Sequence, residues 1–173
     1  MDLKVHIRNV KDFPKPGIMF RDITTLLKDS EGFQKTIKLL EERYRNKEID
    51  LIAGIESRGF VVASALAFKL GKGIVLVRKP GKLPYETVRE EYSLEYGTDA
   101  VEMHRDAVSK GQKVLLVDDL IATGGTCLAA CNLIEKLGGI VTECAFIVEL
   151  PELGGRKKLE NRSIFKLIEF SGE

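Results

Sequence analysis

Four short apolar runs, separated by segments with helical periodicity, limit the folds open to this chain. The runs occupy residues 49–55, 74–78, 114–117 and 140–148. A run without polar alternation is typical of a strand that helices cover on both faces. Strands that alternate in this way with helices predict a doubly wound, mainly parallel α/β sheet flanked by helices.

The segments between the runs carry the predicted helices. In residues 30–47 the apolar residues share one stripe and Ser30 is the expected N-cap. A second helix is predicted after Gly59, ending near Leu70, and a third over residues 125–137. The stripe of the first helix consists of Phe33, Ile37, Leu40 and Tyr44.

The length of the chain indicates a single domain, and its charge argues against a protein that coats nucleic acid. A chain of 173 residues can bury roughly 70% of its unfolded surface. The 27 basic and 26 acidic residues give a formal net charge of +1, which is not the balance of a protein that coats nucleic acid. No internal repeat or interdomain linker is evident, so we expect one domain over residues 1–173.

The cysteines and the N-terminus indicate the cellular compartment. Cys127, Cys131 and Cys144 contain no Cys-x-x-Cys pair, and their odd number argues against a disulfide framework. A structural zinc site is not expected, because His6 and His104 are distant in sequence. With no run of 18 apolar residues and no apolar stretch near the N-terminus, we expect a cytoplasmic protein with no membrane partner.

Two segments depart from the strand–helix rhythm. The N-terminal segment, residues 1–30, contains the rigid turn Phe13-Pro14-Lys15-Pro16-Gly17. Residues 79–97, KPGKLPYETVREEYSLEYG, are rich in charge, Pro and Gly. A long connection in a compact α/β domain is typically functional, so we predict a flexible lid. A helix is predicted after this segment, and three of its residues are expected on the protein surface: Glu102, His104 and Asp106.

The segment VLLVDDLIATGGT, residues 114–126, carries the strongest chemical signal. Asp118 and Asp119 end an apolar run, and small residues with free backbone N–H groups follow them ahead of a helix. Such a loop at a helix N-terminus is a phosphate cradle. Carboxylates repel phosphate, so their expected partners are hydroxyls or a divalent metal, and a sugar phosphate is the implied ligand. The alternative is a strand–helix turn with no ligand.

This segment resembles the binding signature of the type I phosphoribosyltransferases. The resemblance implies that family's fold, with an N-terminal hood formed by residues 1–30 and a flexible lid loop at 79–97. It also implies that Asp118 and Asp119 face the ribose hydroxyls of phosphoribosyl pyrophosphate (PRPP). The 5-phosphate would be held by Ala122, Thr123, Gly124, Gly125 and Thr126.

A second anion site is expected at residues 56–59, at the end of another strand. The forked guanidinium of Arg58 suits a diphosphate. The resemblance implies that Glu56, Ser57 and Arg58 hold the pyrophosphate of PRPP. Three basic residues at the end of the next strand would add positive charge around the pyrophosphate: Arg78, Lys79 and Lys82. The alternative is that these three residues are a solvated charge run on the surface.

The sequence YSLEYG at 92–97 narrows the resemblance to the adenine-specific branch of the family. It implies that Glu95 is the catalytic acid/base and that Tyr96 packs over the closed site. Without the resemblance, Glu95 is one acid among Glu86, Glu90 and Glu91.

The segment FPKPGIMFRDIT, residues 13–24, resembles the same branch's hood. The resemblance implies that the backbone around Met19 and Arg21 reads the purine edge, that Phe20 stacks on the ring, and that Leu120 completes the adenine site. An aromatic face with an edge donor is what a flat heterocycle requires. Taken alone, Phe20 is more typical of a core residue, and Arg21 with Asp22 could form a local ion pair.

The resemblance also implies a reaction. The 5-phosphoribosyl group of PRPP would pass to adenine, giving AMP and pyrophosphate in purine salvage. Mg²⁺ would be required, carried mainly by PRPP and water with no protein ligand of its own, and the assembly would be a homodimer without nucleic acid. The rivals are another base, such as hypoxanthine, guanine or xanthine, and a regulator that binds DNA or RNA, against which the near-neutral charge weighs.

Overall fold

A computed structural model describes residues 2–94 and 96–171. Short 3₁₀ turns lie at Leu3–His6 and Pro151–Leu153. The strands and helices follow one another as β1 (Arg8–Lys11), β2 (Met19–Asp22), α1 (Thr24–Lys28), α2 (Ser30–Tyr44), β3 (Leu51–Ile55), α3 (Glu56–Leu70), β4 (Gly73–Val77), β5 (Thr87–Ser93), β6 (Thr98–His104), β7 (Lys113–Ile121), α4 (Gly125–Lys136), β8 (Ile140–Glu149), α5 (Gly155–Lys158) and β9 (Ile164–Glu169).

Five parallel strands form the central sheet, in the order β4-β3-β7-β8-β9. The predicted parallel α/β sheet is therefore confirmed. From β3 the chain passes through α3 to β4 on one side, whereas from β7 it passes through α4 to β8 on the other side. Neighbouring strands whose connections diverge in this way open a crevice at their carboxyl ends, where α/β proteins bind ligands.

Apolar clusters cover both faces of the sheet. One cluster joins α2 and α3 to the sheet through residues such as Leu40, Leu66 and Leu115. The other joins α4 and β6 to it through Leu133, Met103 and others. Burial on both faces explains why the strands are continuous apolar runs. No helix among residues 2–94 and 96–171 combines the length and apolarity that a bilayer crossing requires.

Several element boundaries differ from the prediction. Strand β7 continues through both acids to Ile121, because β8 is long enough to pair with it there, with Asp118 opposite Phe146. Helix α3 begins at Glu56, so the predicted turn at 56–59 is its first turn. Asp29, not Ser30, caps α2, and its carboxylate accepts a hydrogen bond from the Gly32 N–H at 2.6 Å.

The prediction of a helix after residue 97 was wrong. Residues Thr98–His104 form β6, which pairs antiparallel with β5. Along β6 only Thr98 is exposed, and the adjacent residues Ala100 and Val101 are both buried, as is Met103, so the strand is covered on both faces over part of its length. The second half of the predicted lid, from Thr87 onward, therefore belongs to a β-hairpin whose other strand is β6. Residues 94–97 form the turn between β5 and β6. Residue 95 lies outside the described residues.

The N-terminal segment forms a small separate sheet. Strands β1 and β2 pair antiparallel, with Arg8 opposite Asp22, and the Phe13–Pro14 peptide bond between them is cis. The Arg8 guanidinium also bonds the Asp22 carboxylate, at 2.6 Å from Nη2. Asp22 in turn accepts from the Thr24 N–H at 2.9 Å, which ties the hairpin to α1.

Candidate active site at the carboxyl ends of β3 and β7

Two helix N-termini lie side by side at the carboxyl edge of the sheet. Helix α3 starts at Glu56 directly after β3, and α4 starts at Gly125 shortly after the neighbouring β7. The first four N–H groups of a helix have no partner within it, and they favour anions. This edge of the sheet therefore offers two adjacent anion sites.

A cavity of about 190 Å³ opens at this edge. It brings together Arg58, both acids and the whole small-residue loop, all of which the sequence predicted as site residues. A larger groove of about 690 Å³ between α2 and α3 contains none of them. The cavity is lined by Arg58, Asp118, Asp119, Leu120, Ile121, Ala122, Thr123, Gly124, Gly125, Thr126, Cys127 and Phe146.

The two carboxylates at the end of β7 have different surroundings. Burial, followed by the negative charge of Asp119, raises the pKa of Asp118 well above its usual range. Asp119 is only 3% exposed, and its Oδ2 lies 3.1 Å from Arg58 Nε. That oxygen accepts no hydrogen bond from the described residues. A buried carboxylate oxygen without a hydrogen bond is costly, and a ligand hydroxyl or a metal ion would satisfy it.

Glycines let other backbone segments pack against the acids and the loop. A Cβ at Gly59 would lie 2.9 Å from Asp118 Oδ1, so only glycine lets α3 approach β7 there. Gly124, with φ of +80°, caps α4, and a Cβ on it would lie 2.9 Å from the Gly155 carbonyl oxygen. A Cβ at Gly155 would lie 2.5 Å from the Ala122 carbonyl oxygen. The Gly155 backbone thus packs directly against the loop at residues 122–126.

Arg58 connects the loop to the N-terminal sheet. Its guanidinium carbon lies 5.1 Å from the centre of the Phe20 ring, within the range of a cation–π contact. Phe20 is half-buried and meets Phe13 edge-to-face at 5.0 Å between centroids. The Arg58 side chain therefore contacts both the Phe20 ring and Asp119, one of the paired acids.

Glu56 organises the end of β4. Its carboxylate accepts a hydrogen bond from the Lys79 N–H at 2.7 Å and lies 3.6 Å from Arg78 Nε. Glu56 has a φ of +48°, a strained conformation of a kind that concentrates at functional sites. The Lys79 ammonium bonds Asp99 and the Tyr92 hydroxyl. Lys82 is exposed.

The other predicted purine contacts lie on and beside β2. Met19 and Leu120 are half-buried. Arg21 is buried: its guanidinium donates to Asn9 Oδ1 at 2.5 Å and lies 4.2 Å from the centre of the Phe170 ring. Because Asp22 bonds Arg8, the structure gives no support to the alternative of a local Arg21–Asp22 pair.

The tip of the β5–β6 hairpin lies near the N-terminal turn. The Lys15 ammonium is 5.9 Å from the centre of the Tyr96 ring, and Tyr96 is 81% exposed. Glu95, the predicted acid/base, lies outside the described residues. Next to this tip the hairpin packs on the start of α4, where a Cβ at Gly125 would lie 3.1 Å from the Tyr92 ring.

Sequence reasoning missed several residues that support the site. Asp99 and Tyr92 hold Lys79, and the buried Glu149 carboxylate accepts two hydrogen bonds from Arg156, at 2.6 and 2.8 Å, beside the Gly155 turn. The paired glycines at 154–155 were the one available signal, since adjacent glycines indicate close backbone approach.

Known proteins resemble this chain over its whole length. The model of the phosphoribosyl transferase domain family matches residues 22–172. An adenine phosphoribosyltransferase from Prosthecochloris aestuarii is 59% identical, with 100% of both chains covered. The crystal structure of an adenine phosphoribosyltransferase from Thermoanaerobacter pseudethanolicus superposes with a TM-score of 0.95 at 53% identity, covering 97% of this chain and 98% of that one. The Saccharomyces cerevisiae enzyme was crystallised with adenine and an imino-altritol bisphosphate; its TM-score is 0.90 at 42% identity, covering 96% of each chain.

Proposed function

The chain belongs to the adenine phosphoribosyltransferases of the phosphoribosyl transferase family, and from this premise we propose how its residues divide the work. The reaction transfers the 5-phosphoribosyl group of PRPP to adenine and gives AMP and pyrophosphate. The observation that carries the residue assignment is the position of Arg58, between the Phe20 ring and the Asp119 carboxylate. One side chain thus joins an aromatic surface for the base to the acids for the ribose.

The loop after β7 binds the ribose phosphate end of PRPP. The N–H groups of residues 122–126 hold the 5-phosphate at the N-terminus of α4, and Thr123 and Thr126 add hydroxyl donors. Asp118 and Asp119 accept hydrogen bonds from the 2- and 3-hydroxyls. The Asp119 oxygen that lacks a hydrogen bond gains one when the sugar is bound.

The first turn of α3 binds the pyrophosphate. The N–H groups of Ser57 and Arg58 face the diphosphate, and the Arg58 fork binds its oxygens once the contact with Asp119 is exchanged. Arg78, Lys79 and Lys82 add positive charge for the leaving group. Glu56 acts through its contacts with Arg78 and Lys79, which it holds at the end of β4.

The N-terminal hood and Leu120 bind adenine. The Phe20 ring stacks on the purine, Leu120 and Met19 add apolar contact, and the backbone at Met19 and Arg21 hydrogen-bonds the purine edge. The Arg21 side chain is already engaged with Asn9 and Phe170, which fixes the backbone of β2. This division assigns base choice to the hood and leaves the sugar phosphate to the loop.

The turn at 94–97 closes over the reacting centre. Glu95 exchanges the proton of the attacking base, and Tyr96 covers the site. The contact of Tyr96 with Lys15 supports this role, because it brings the hairpin tip to the hood. Closure excludes water from the ribose carbon that would otherwise be hydrolysed.

Mg²⁺ fits this site as an ion that arrives with PRPP. The Asp119 oxygen without a hydrogen bond and the adjacent Asp118 are oxygen donors suited to it or to its water ligands. Among the described residues no three carboxylates converge here to hold the ion alone. When bound, Mg²⁺ neutralises part of the diphosphate charge.

We also propose a cytoplasmic homodimer. The three cysteines are free and buried, as expected in a reducing compartment. Phe68 is 86% exposed and Val61 is also exposed, both on α3, which lines the 690 Å³ groove. Exposed apolar surface of this kind marks an interface, and a second copy of the chain is the occupant that we propose.

A pair of variants tests the division of the site. Asp119→Asn should weaken PRPP binding roughly 10- to 100-fold, since it removes a charged acceptor, with little change in the Michaelis constant for adenine. Phe20→Leu should raise the Michaelis constant for adenine with little change in PRPP affinity measured by calorimetry. Asp106→Asn, at an exposed acid away from the cavity, is the control. Unchanged PRPP affinity in Asp119→Asn would remove that residue from the sugar site.

A further inference from the structure

Three cysteines meet in the core behind the phosphate loop. Cys127 and Cys131 lie one turn apart on α4, and Cys144 lies on β8. Their sulfur atoms all lie within 4.8 Å of one another, and the Sγ atoms of Cys131 and Cys144 are 3.5 Å apart. All three side chains are buried. Convergence of three sulfurs from two elements goes beyond what packing of small apolar residues requires.

The sulfur triangle matches the size of a three-coordinate metal site. An ion about 2.3 Å from each sulfur, the usual Zn–S distance, needs sulfurs about 4.0 Å apart. The observed separations, from 3.5 Å to no more than 4.8 Å, bracket that value. Small side-chain rotations would therefore complete the site without movement of α4 or β8.

The surroundings select the kind of ion. A structural zinc ion takes four protein ligands, and among residues 2–94 and 96–171 no fourth His, Cys, Asp or Glu joins the group. Soft ligands such as thiolates favour Cu(I), for which three sulfurs suffice.

We propose that Cys127, Cys131 and Cys144 form a three-sulfur binding site for a soft monovalent cation, Cu(I). Cys127 also lines the cavity at the phosphate loop, which gives the ion a route from solvent to the cluster. The site is separate from the Mg²⁺ and PRPP contacts, which use oxygen donors, and its existence does not depend on the proposed roles of those residues.

The test is a titration of the reduced, full-length protein with Cu(I) under anaerobic conditions, in competition with a chromogenic Cu(I) chelator. We expect about one Cu(I) per chain, and X-ray absorption should give three sulfur neighbours at about 2.3 Å. Cys127→Ser, Cys131→Ser and Cys144→Ser should each abolish retention against the chelator. Ala130→Ser adds a hydroxyl to the same buried helix while keeping the cysteines, and it should retain the ion.

Thermal unfolding of each variant checks that it is folded, and Cys→Ala at the same positions replaces any serine variant that is not. Failure of the wild-type protein to hold Cu(I) against the chelator would overturn the proposal. So would equal retention by all cysteine variants, two or four ligands in the absorption spectrum, or tight binding of Zn²⁺ in place of Cu(I).

Discussion

In the proposed division of the site, Arg58 changes partners when substrate binds. Its guanidinium compensates the buried Asp119 carboxylate, with 3.1 Å between Nε and Oδ2. A buried charge left without a partner is strongly destabilising, so this pair stabilises the carboxyl end of β7. By our proposal, a diphosphate for Arg58 and a ribose hydroxyl for Asp119 replace that contact together. Substrate binding and pairing of these two residues are therefore alternatives.

The acid/base role of Glu95 gives a prediction for a single residue. Glu95→Gln should lower the turnover number roughly 100-fold, the usual contribution of a positioned proton carrier, while PRPP affinity changes little. Steady-state kinetics and calorimetry measure the two quantities. Glu91→Gln, at an exposed acid that pairs with Arg89 on β5, should keep normal turnover. Normal turnover in Glu95→Gln would remove Glu95 from the catalytic residues.

At the scale of single residues, membership of the candidate site can be predicted from the sequence where a residue's chemistry is unusual for its position. Asp118 and Asp119 stand out because two acids end an apolar run, and the cavity contains both. Asp99 and Glu149 could not be recognised in the same way, since a single acid in a strand has no distinctive spacing. Their partners, Lys79 and Arg156, become apparent only when the fold brings them together.

At the scale of elements, the proposed phosphate loop at residues 122–126 packs against a second backbone segment at Gly155. The Gly155 backbone is packed so closely on Ala122 and Gly124 that no side chain fits between them. Gly155→Ala should displace the loop, cost about 1–3 kcal/mol of stability as overpacking, and weaken PRPP binding. Gly73→Ala, at the opposite end of the sheet and near only a flexible Leu51 methyl group, is the control. PRPP affinity equal to wild type in Gly155→Ala would show that the loop does not need this support.

Glu143 joins α2 to β8 and to the chain before β9. Its carboxylate accepts hydrogen bonds from Arg43, from the Tyr44 hydroxyl at 2.6 Å and from the Ser163 hydroxyl at 2.7 Å. Burial alone would raise the pKa of Glu143, but these donors lower it to about 2. Since the native pKa lies below the ordinary value of 4.5, the resulting stability is present above pH 4.5 and is lost as the pH falls toward 2.

This linkage predicts the behaviour of Glu143→Gln. The free energy of unfolding at pH 7 should fall by about 3 kcal/mol, and the variant should lose less stability than the wild type between pH 5 and about 2. Denaturant titrations at several pH values measure both effects. Glu42→Gln, at an exposed position of α2, should stay within about 0.5 kcal/mol. Parallel pH curves for wild type and Glu143→Gln would contradict the assignment.

The central strands and the edge strand β4 were predictable, whereas the edge strand β9 and the hairpin strand β6 were not. Strands β3, β7 and β8 are continuous apolar runs because helices cover them. Strand β9 is half-buried along most of its length, so exposed and buried positions do not alternate along it. Its sequence, IFKLIE, therefore shows no clear strand period. Strand β6 was mistaken for a helix because its polar residues, Glu102 and His104, were read without the partner strand β5, whose pairing fixes their side of the hairpin.

For the whole molecule, the order of the strands explains why the site lies where it does. Strands β3 and β7 are neighbours whose helices leave toward opposite sides, which opens one crevice with two helix N-termini. The hood and the β5–β6 hairpin are additions that reach this crevice through Phe20 and Tyr96. In our proposal the central fold supplies the phosphate sites, and the additions supply base recognition and closure.

The proposed homodimer gives a prediction for the assembly. Light scattering should give twice the mass of the 19.3 kDa chain for the wild type. Phe68→Glu places a charge on the exposed face of α3 and should shift the protein toward the monomer. Val5→Glu alters an equally apolar, exposed position outside that groove and should leave the dimer intact. A monomeric wild type would exclude the homodimer, and a dimeric Phe68→Glu would place the interface elsewhere.

The central claim is that this site joins adenine to PRPP with choice of the base made by the hood. The direct measurement incubates the purified protein with PRPP, Mg²⁺ and one base at a time, from adenine, hypoxanthine, guanine and xanthine, and follows nucleotide and pyrophosphate. We predict AMP and an equal amount of pyrophosphate from adenine, and no nucleotide from the other bases. Nucleotide from another base in preference to adenine, or PRPP binding without product from any base, would contradict the account.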